Sequence, residues 1–503
     1  MTFGGVMAAI KSGARDVDTL DDLARAALAE GEEQAALELL IPAAECSREA
    51  LLWQWVGLLQ RSLDDHEAAI ESFARAAALA PDDAGIAHGR ARVALEAGLD
   101  AVELFLRARA LAPGDGAVAL GLAAARNAIG EGGLAAGELR ALIDRAPAWT
   151  TGHEQLAQLL SLLGRKDQAT DSLKHAIGRF PREPGLWATL FRIDVLREDY
   201  ETLRRDIERA RAAGIPESAL GVHRAIAAAE LDPEPFPDAL FKVEPPEASS
   251  RLGIWRIRHL LRVGVIEEAL RLIDGELASD EAAPAWPYAS LAWRLAGDER
   301  SRWLEEDPRL VQVFDLTPAL PPLGELADCL RALHLARGEF VDQSVRGGTQ
   351  TDGPLLTRID PLIRQMRAAI VGAVEAYVAQ LPAPDPRHPL LSQRRDRRVR
   401  FSGSWSVRLR GGGRHANHTH PQGWISSALY IALPPRSVLE PSNAGWFTLG
   451  EPQEQLGLDS PPWRELEPKP GHLVLFPSWM WHGTRPFAEG ERLTIAFDVR
   501  PPL

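Results

Sequence analysis

The chain has 503 residues, a formal net charge of −14, 46% hydrophobic and 25% charged residues. That length gives a prior of about three domains, and the balance is globular. It excludes a wholly disordered or fibrous chain, and its acidity argues against general nucleic-acid binding. Only Cys46 and Cys329 are cysteines. No disulfide framework or Cys-based zinc site follows, and a reducing cytoplasm fits best. No apolar run approaches the length of a membrane span, and Met1 to Ser12 lacks a signal-peptide core. The expectation is a cytoplasmic protein with no membrane partner.

Alanine-rich helices followed by proline recur through the first half, at Pro81, Pro113, Pro147 and Pro181. The spacings of 32, 34 and 34 are the period of a tetratricopeptide helix–turn–helix unit. Trp53, Val56, Gly57, Ala69, Phe73 and Ala76 fill the pattern before Pro81. Small residues let paired helices approach and large ones fill the space opposite. Weaker helical periodicity runs on to about Leu304. The predicted organisation is a repeat solenoid over 1–235, a helical connector over 236–315 and a third domain over 316–503. A solenoid offers a groove for a protein or peptide, and also a surface for scaffolding or homodimerisation.

After the Pro/Gly-rich stretch from Leu316, one further helix is predicted from Pro361 to Leu381. Beyond Phe401 the period becomes two. Trp405, Val407 and Leu409 alternate with Ser404, Ser406 and Arg408, and apolar strands follow at Ser426–Leu433 and Leu473–Phe476. In the last strand Arg492, Thr494, Ala496 and Asp498 share one face. Short strands between Gly/Pro turns read as a β-sandwich or barrel.

Six of the 14 tryptophans and five of the 13 histidines lie in the last 103 residues. His418 and His420 stand two apart, so on an extended segment both point the same way. His482 follows an apolar strand that can end at the same place. Neutral imidazoles suit Fe(II), Cu or Zn. Arg492 offers a planar fork for the distal carboxylate of a dicarboxylic co-substrate. Arg408 and Ser406 contact co-substrate or substrate if they face inward. Gln343, Arg346, Thr349 and Gln350, in a polar loop, and Trp424 are candidates for substrate contact. His415 and His472 read as structural or as supports behind the ligands, and Gly411 to Gly413 as a plain turn. The run RRDRRVR, Arg394 to Arg400, reads as a solvated strand entrance or a recruiter of acidic peptide.

The blocks SWSVRL, HANHTHPQGWISSALYIALP, PGHLVLFPSWMWHGTRPF and ERLTIAFDV, with VDQSVRGGTQT upstream, resemble bacterial 2-oxoglutarate- and Fe(II)-dependent oxygenases that carry tetratricopeptide repeats. The pattern is also similar to the aspartyl/asparaginyl β-hydroxylases. The resemblance implies an α + β multidomain protein, a helical solenoid followed by a double-stranded β-helix (jelly-roll) domain. It implies an Fe(II) dioxygenase that uses 2-oxoglutarate and molecular oxygen to hydroxylate a protein or peptide side chain. By that pattern His418 is the first iron ligand, His482 the distal one and Arg492 the 2-oxoglutarate clamp. Position 420 departs from the usual acidic residue. His420 is taken to complete a three-histidine metal set with His418 and His482; otherwise it lies outside the set, or is itself the first ligand with Gln422 in the acidic position. A three-histidine oxygenase without 2-oxoglutarate, or a repeat scaffold with an inactive β-domain, are the alternatives.

Overall fold

The structure, a computed structural model, describes residues 1–233, 241, 252–340, 344–435 and 440–502. The expected boundary at 235/236 and the candidate Gln343 lie outside the described residues. Five helix pairs form the array: Ala50–Ser62 with His66–Leu79, Ala84–Glu96 with Val102–Leu111, Gly116–Ala128 with Gly132–Arg145, Thr150–Leu162 with Asp171–Arg179, and Pro184–Leu196 with Tyr200–Ala212. The second helices of the first four pairs stop two residues before Pro81, Pro113, Pro147 and Pro181. Proline supplies no N–H for another turn and disfavours the helical conformation before it. A Cβ on Gly57 would come within 2.7 Å of the Phe73 ring and one on Gly89 within 2.3 Å. The ring therefore fills the gap between successive first helices, and glycine is what lets it in.

The turns inside the pairs share a second feature. Asp64, Gly98, Gly130, Gly164 and Glu198, one in each pair, and Gly31 in the preceding turn between helices Val17–Glu30 and Glu33–Cys46, recur at the repeat spacing, all with positive φ. Asp64 and Glu198 are the two non-glycine residues of this kind among those described. Both carboxylates hold the C-terminal part of the chain. Asp64 Oδ2 accepts from the backbone N–H of Phe401 at 3.1 Å, and Glu198 Oε2 accepts from Gln455 at 3.0 Å. Between them, Ala97 O accepts from Ile359 N and Leu162 O from Arg337 N. One edge of the solenoid is thus a docking line, and a side chain in strained left-handed backbone stands where it is needed for a contact.

The arginine run supplies the other half of that line. Arg397 pairs with Glu32, and Arg400 Nη1 reaches Glu33 Oε1 at 2.6 Å with both side chains buried. Neither a free solvated face nor an acidic-peptide site remains at those two positions.

Farther along the array Asp194, 1% exposed, sits against Asp206. Burial and the Asp206 charge push the Asp194 carboxyl up to about 7. A raised carboxyl favours folding fully only below its unfolded value near 3.8, and that contribution is lost as pH climbs to about 7. Asp194→Asn is therefore expected to stabilise the protein by on the order of 3 kcal/mol at pH 8 and by less at pH 5. Urea midpoints of both proteins at the two pH values check this.

Helices Gly253–Arg262, Ile266–Leu277, Trp286–Ala296 and Arg300–Glu305 lead into the sheets. The strands are β1 (Gln312–Asp315), β2 (Val345–Gln350), β3 (Phe401–His415), β4 (Ile425–Ala432), β5 (Phe447–Leu449), β6 (Arg464–Leu466), β7 (His472–Pro477), β8 (His482–Thr484) and β9 (Glu491–Val499). Six form an antiparallel sheet in the order β1-β7-β4-β9-β3-β2, and three form a second, β6-β5-β8. One apolar cluster joins Ile257, Leu261 and Trp293 of the lead-in helices to Tyr377 of helix Pro361–Gln380 and to Leu473, Ile495 and Phe497. The lead-in helices and the sheet therefore share a core.

The expected double-stranded β-helix is not what forms. Neither sheet closes, and six strands face three rather than two equal sets. The physical reason lies in the second layer, whose strands have three residues each and whose connection carries Pro452, Pro461 and Pro462. Prolines withhold the donors that a further ladder strand would need.

Candidate metal centre

His418 and His482 meet across an isolated antiparallel bridge. His418 N donates to His482 O and His482 N to His418 O, each at 3.0 Å. His420 N donates to Ser478 O at 2.8 Å, which fixes the same segment against the end of β7. Both backbones are held before any ligand enters. The three rings lie with centroids 4.2, 4.9 and 5.4 Å apart, and their potential ligand nitrogens fall within 4.8 Å of one another.

The outward nitrogens are all spoken for. Nδ1 of His418 donates to Ala416 O at 2.8 Å, and Nδ1 of His482 to Met480 O at 2.9 Å. A carbonyl can only accept, so each ring carries its proton on Nδ1 and leaves Nε2 as an acceptor, that of His418 within 3.2 Å of Ser344 Oγ. Nδ1 of His420 bonds Asp498 Oδ2 at 2.5 Å, and Ser426 Oγ donates to the other oxygen of that carboxylate. Such outer partners orient metal-binding imidazoles and raise their basicity. Burial pushes His418 well down and His482 to about 3, with neighbouring histidines adding to the effect. At His420 burial acts downward too, but the charge and hydrogen bond of Asp498 outweigh it and hold the ring above its ordinary value. The donor set fits a first-row transition ion: three convergent imidazoles, two of them neutral and all three oriented.

This set overturns the 2-oxoglutarate/Fe(II) dioxygenase expectation. Among the described residues the cluster is His418, His420 and His482, with no carboxylate ligand, whereas that chemistry rests on two histidines and one carboxylate. The acid of the site, Asp498, stands one bond behind His420. The cavity beside the histidines is also small, about 40 Å³, room for a few waters. The hydroxylase activity and the Fe(II)/2-oxoglutarate cofactor pair fall with it.

Arg492 and Thr494 line this cavity together with His415 and Trp405. Arg492 is 2% exposed, lies over the Tyr430 ring and donates through Nη1 to Gly445 O at 2.7 Å. Its Nε has no partner among the described residues, and burial lowers its pKa. Ser406 and Thr349 turn instead to the two nitrogens of His334, and Arg408 to Glu491. Gln350 lines a cavity against the repeats, and Arg346 a separate outer cleft. Trp424 donates to Leu390 O and, with Gln422, lines a third cavity away from the histidines. His472 sits near the surface beside Pro470 O.

Sequence reasoning missed Asp498, Ser344 and Trp405 as parts of the centre. Ser344 Oγ lies 3.2 Å from both His415 Nδ1 and His418 Nε2, and the Trp405 indole stacks on His420 at 5.8 Å and 14°. Asp498 shares the strand face of Arg492, a signal present in the alternation. Removing its charge is expected to weaken metal binding: Asp498→Asn lowers cobalt(II) affinity by about 10–100-fold. Competition against a chromophoric chelator measures this.

Residues 403–498 match the family described as "Putative 2OG-Fe(II) oxygenase", and residues 50–83 match a tetratricopeptide repeat. No curated protein matches the chain. Among solved structures it is similar to a tetratricopeptide repeat protein from Parabacteroides merdae, at 16% identity over 44% of this chain and 89% of that one, TM-score 0.32. It is similar also to a Pseudomonas putida prolyl-4-hydroxylase, at 16% identity over 38% and 92%, TM-score 0.26. YrrB, a TPR protein with an unusual peptide-binding site, gives 17% identity over 37% and 96%, TM-score 0.25. The chain joins a tetratricopeptide-repeat region to a separate domain that resembles the 2-oxoglutarate/Fe(II) oxygenase family, with a ligand set that departs from that family's.

Proposed function

We propose that the C-terminal domain is a mononuclear three-histidine oxygenase that works without 2-oxoglutarate, and that the repeat array serves a polypeptide substrate or partner. The observation that carries this reading is the convergence of His418, His420 and His482 with Asp498 behind them. When bound there, a redox-active first-row ion would supply electron transfer to O2. The balance closes without a reductant when both oxygen atoms enter the substrate, which gives up four electrons.

The chain's own residues position the reactants. Trp405 on one side of His420 and Phe447 and Phe476 around His482 keep bulk water from the cluster. Arg492, buried and with Nε unpartnered among the described residues, is placed to bind a carbonyl or anionic oxygen of the substrate. Thr494 adds a hydroxyl on the same wall. Asp498 holds the His420 ring in one orientation.

Turnover under labelled oxygen tests the reading. With no 2-oxoglutarate present, the product is expected to carry both labelled atoms, and His418→Ala to abolish its formation. Succinate release matched to a singly labelled product would sink it.

No helix among the described residues is long and apolar enough to cross a membrane.

A further inference from the structure

A second, larger cleft opens beside the metal cavity. It has a volume of about 620 Å³ and lies between the repeat-array turn at Glu198 and the 451–462 loop. Two residues, His415 and Thr484, line both spaces. The His415 backbone N–H donates to Thr484 Oγ1 at 2.9 Å, so the two residues are held together where the two spaces adjoin. Beyond them the inner cavity offers only about 40 Å³. A ligand that uses both spaces must be broad outside and slender at its tip.

The charges of the cleft add to that description. Glu451 is paired with Arg485, and Glu198 faces Arg346. Glu454 and Asp459, both exposed on the loop, have no ionic partner among the described residues. Arg414 is the exposed cation on the opposite wall. Two free acids against one free base leave the loop side negative.

We propose that this cleft is the substrate entry, and that it takes a polypeptide segment carrying a Lys or Arg next to a short reactive side chain. The short side chain passes His415 and Thr484 toward the histidines, while the basic residue meets Glu454 and Asp459. The segment touches the repeat array at Glu198, so the turn that docks the two parts of the chain also forms a wall of the entry. This inference rests on the proposed oxygenase reading for what happens at the tip, but not for whether a peptide binds.

The test reads binding apart from turnover. Benzoylphenylalanine replaces Ser460 on the cleft loop in the full-length protein, or Glu71 on an outer repeat helix as the control. Each protein is irradiated with a positional-scanning library of short peptides. The expected result is capture at position 460 of peptides enriched in Lys or Arg, with capture falling about tenfold in the Glu454→Lys/Asp459→Lys protein. Equal capture at both positions, or unchanged peptides in the charge-reversed protein, overturns the proposal. Cobalt(II) absorption is recorded on the same samples. Capture without any cobalt signal from the histidines would count against the oxygenase reading alone.

Discussion

His482→Ala is expected to lower cobalt(II) affinity by about a thousandfold or more, well beyond the 10–100-fold that an outer partner such as Asp498 controls. The reason is geometric. His482 and His418 hold each other through a reciprocal pair of backbone hydrogen bonds, and each presents Nε2 because its Nδ1 is committed to a carbonyl. The backbone bridge survives the substitution, so the two remaining imidazoles stay in place and only the third donor is lost. The void left beside Phe447 and Phe476 costs some stability, about 1–3 kcal/mol. Chelator competition separates the two effects, because unfolding in urea reports the void and metal affinity reports the ligand. An unchanged affinity would mean that the ion binds elsewhere.

Arg400→Met is expected to destabilise the protein by about 3–5 kcal/mol. Glu33 is 2% exposed, and its Oε1 is shared between Arg400 at 2.6 Å and Ser62 Oγ at 2.9 Å. Removal of the guanidinium leaves a carboxylate buried without its counter-charge. The pair itself gains little net stability, since both groups lose their water. The double substitution Glu33→Leu/Arg400→Met is therefore expected to recover most of the loss. Recovery would identify the interface as a complementarity device joining the solenoid to β3. Additive losses would show that each residue has a separate role.

The helical half of this protein was largely open to sequence reasoning, because proline placement and the pairing of small with large residues are local signals. Gly57 and Phe73 stand out in the spacing, while the approach of Phe73 to Gly89 of the next repeat appears only in the fold. The strands also declared themselves, β4 and β7 as apolar runs and β9 by alternation from Arg492 to Val499, and all three lie within a residue or so of the expected segments. What alternation does not encode is how strands order and close. The open arrangement of six and three strands depends on long-range pairing between short segments, and on prolines whose effect appears only once a neighbour is known.

The centre shows the same division. His418, His420 and His482 were legible as chemistry at suggestive spacings, with position 420 departing from the acidic residue usual in the family the chain resembles. Asp498 supplies the missing acid from a strand that lies 78 residues beyond His420 and touches it only after folding. Likewise the arginine run looked like solvated charge until Glu32 and Glu33, on a distant helix, came to meet it.

The most direct measurement is visible absorption of the Fe(II)-loaded protein during anaerobic titration with 2-oxoglutarate. Three-histidine ligation beside a cavity of about 40 Å³ requires that no metal-to-ligand charge-transfer band develops. A saturable band, lost in Arg492→Met, would contradict it.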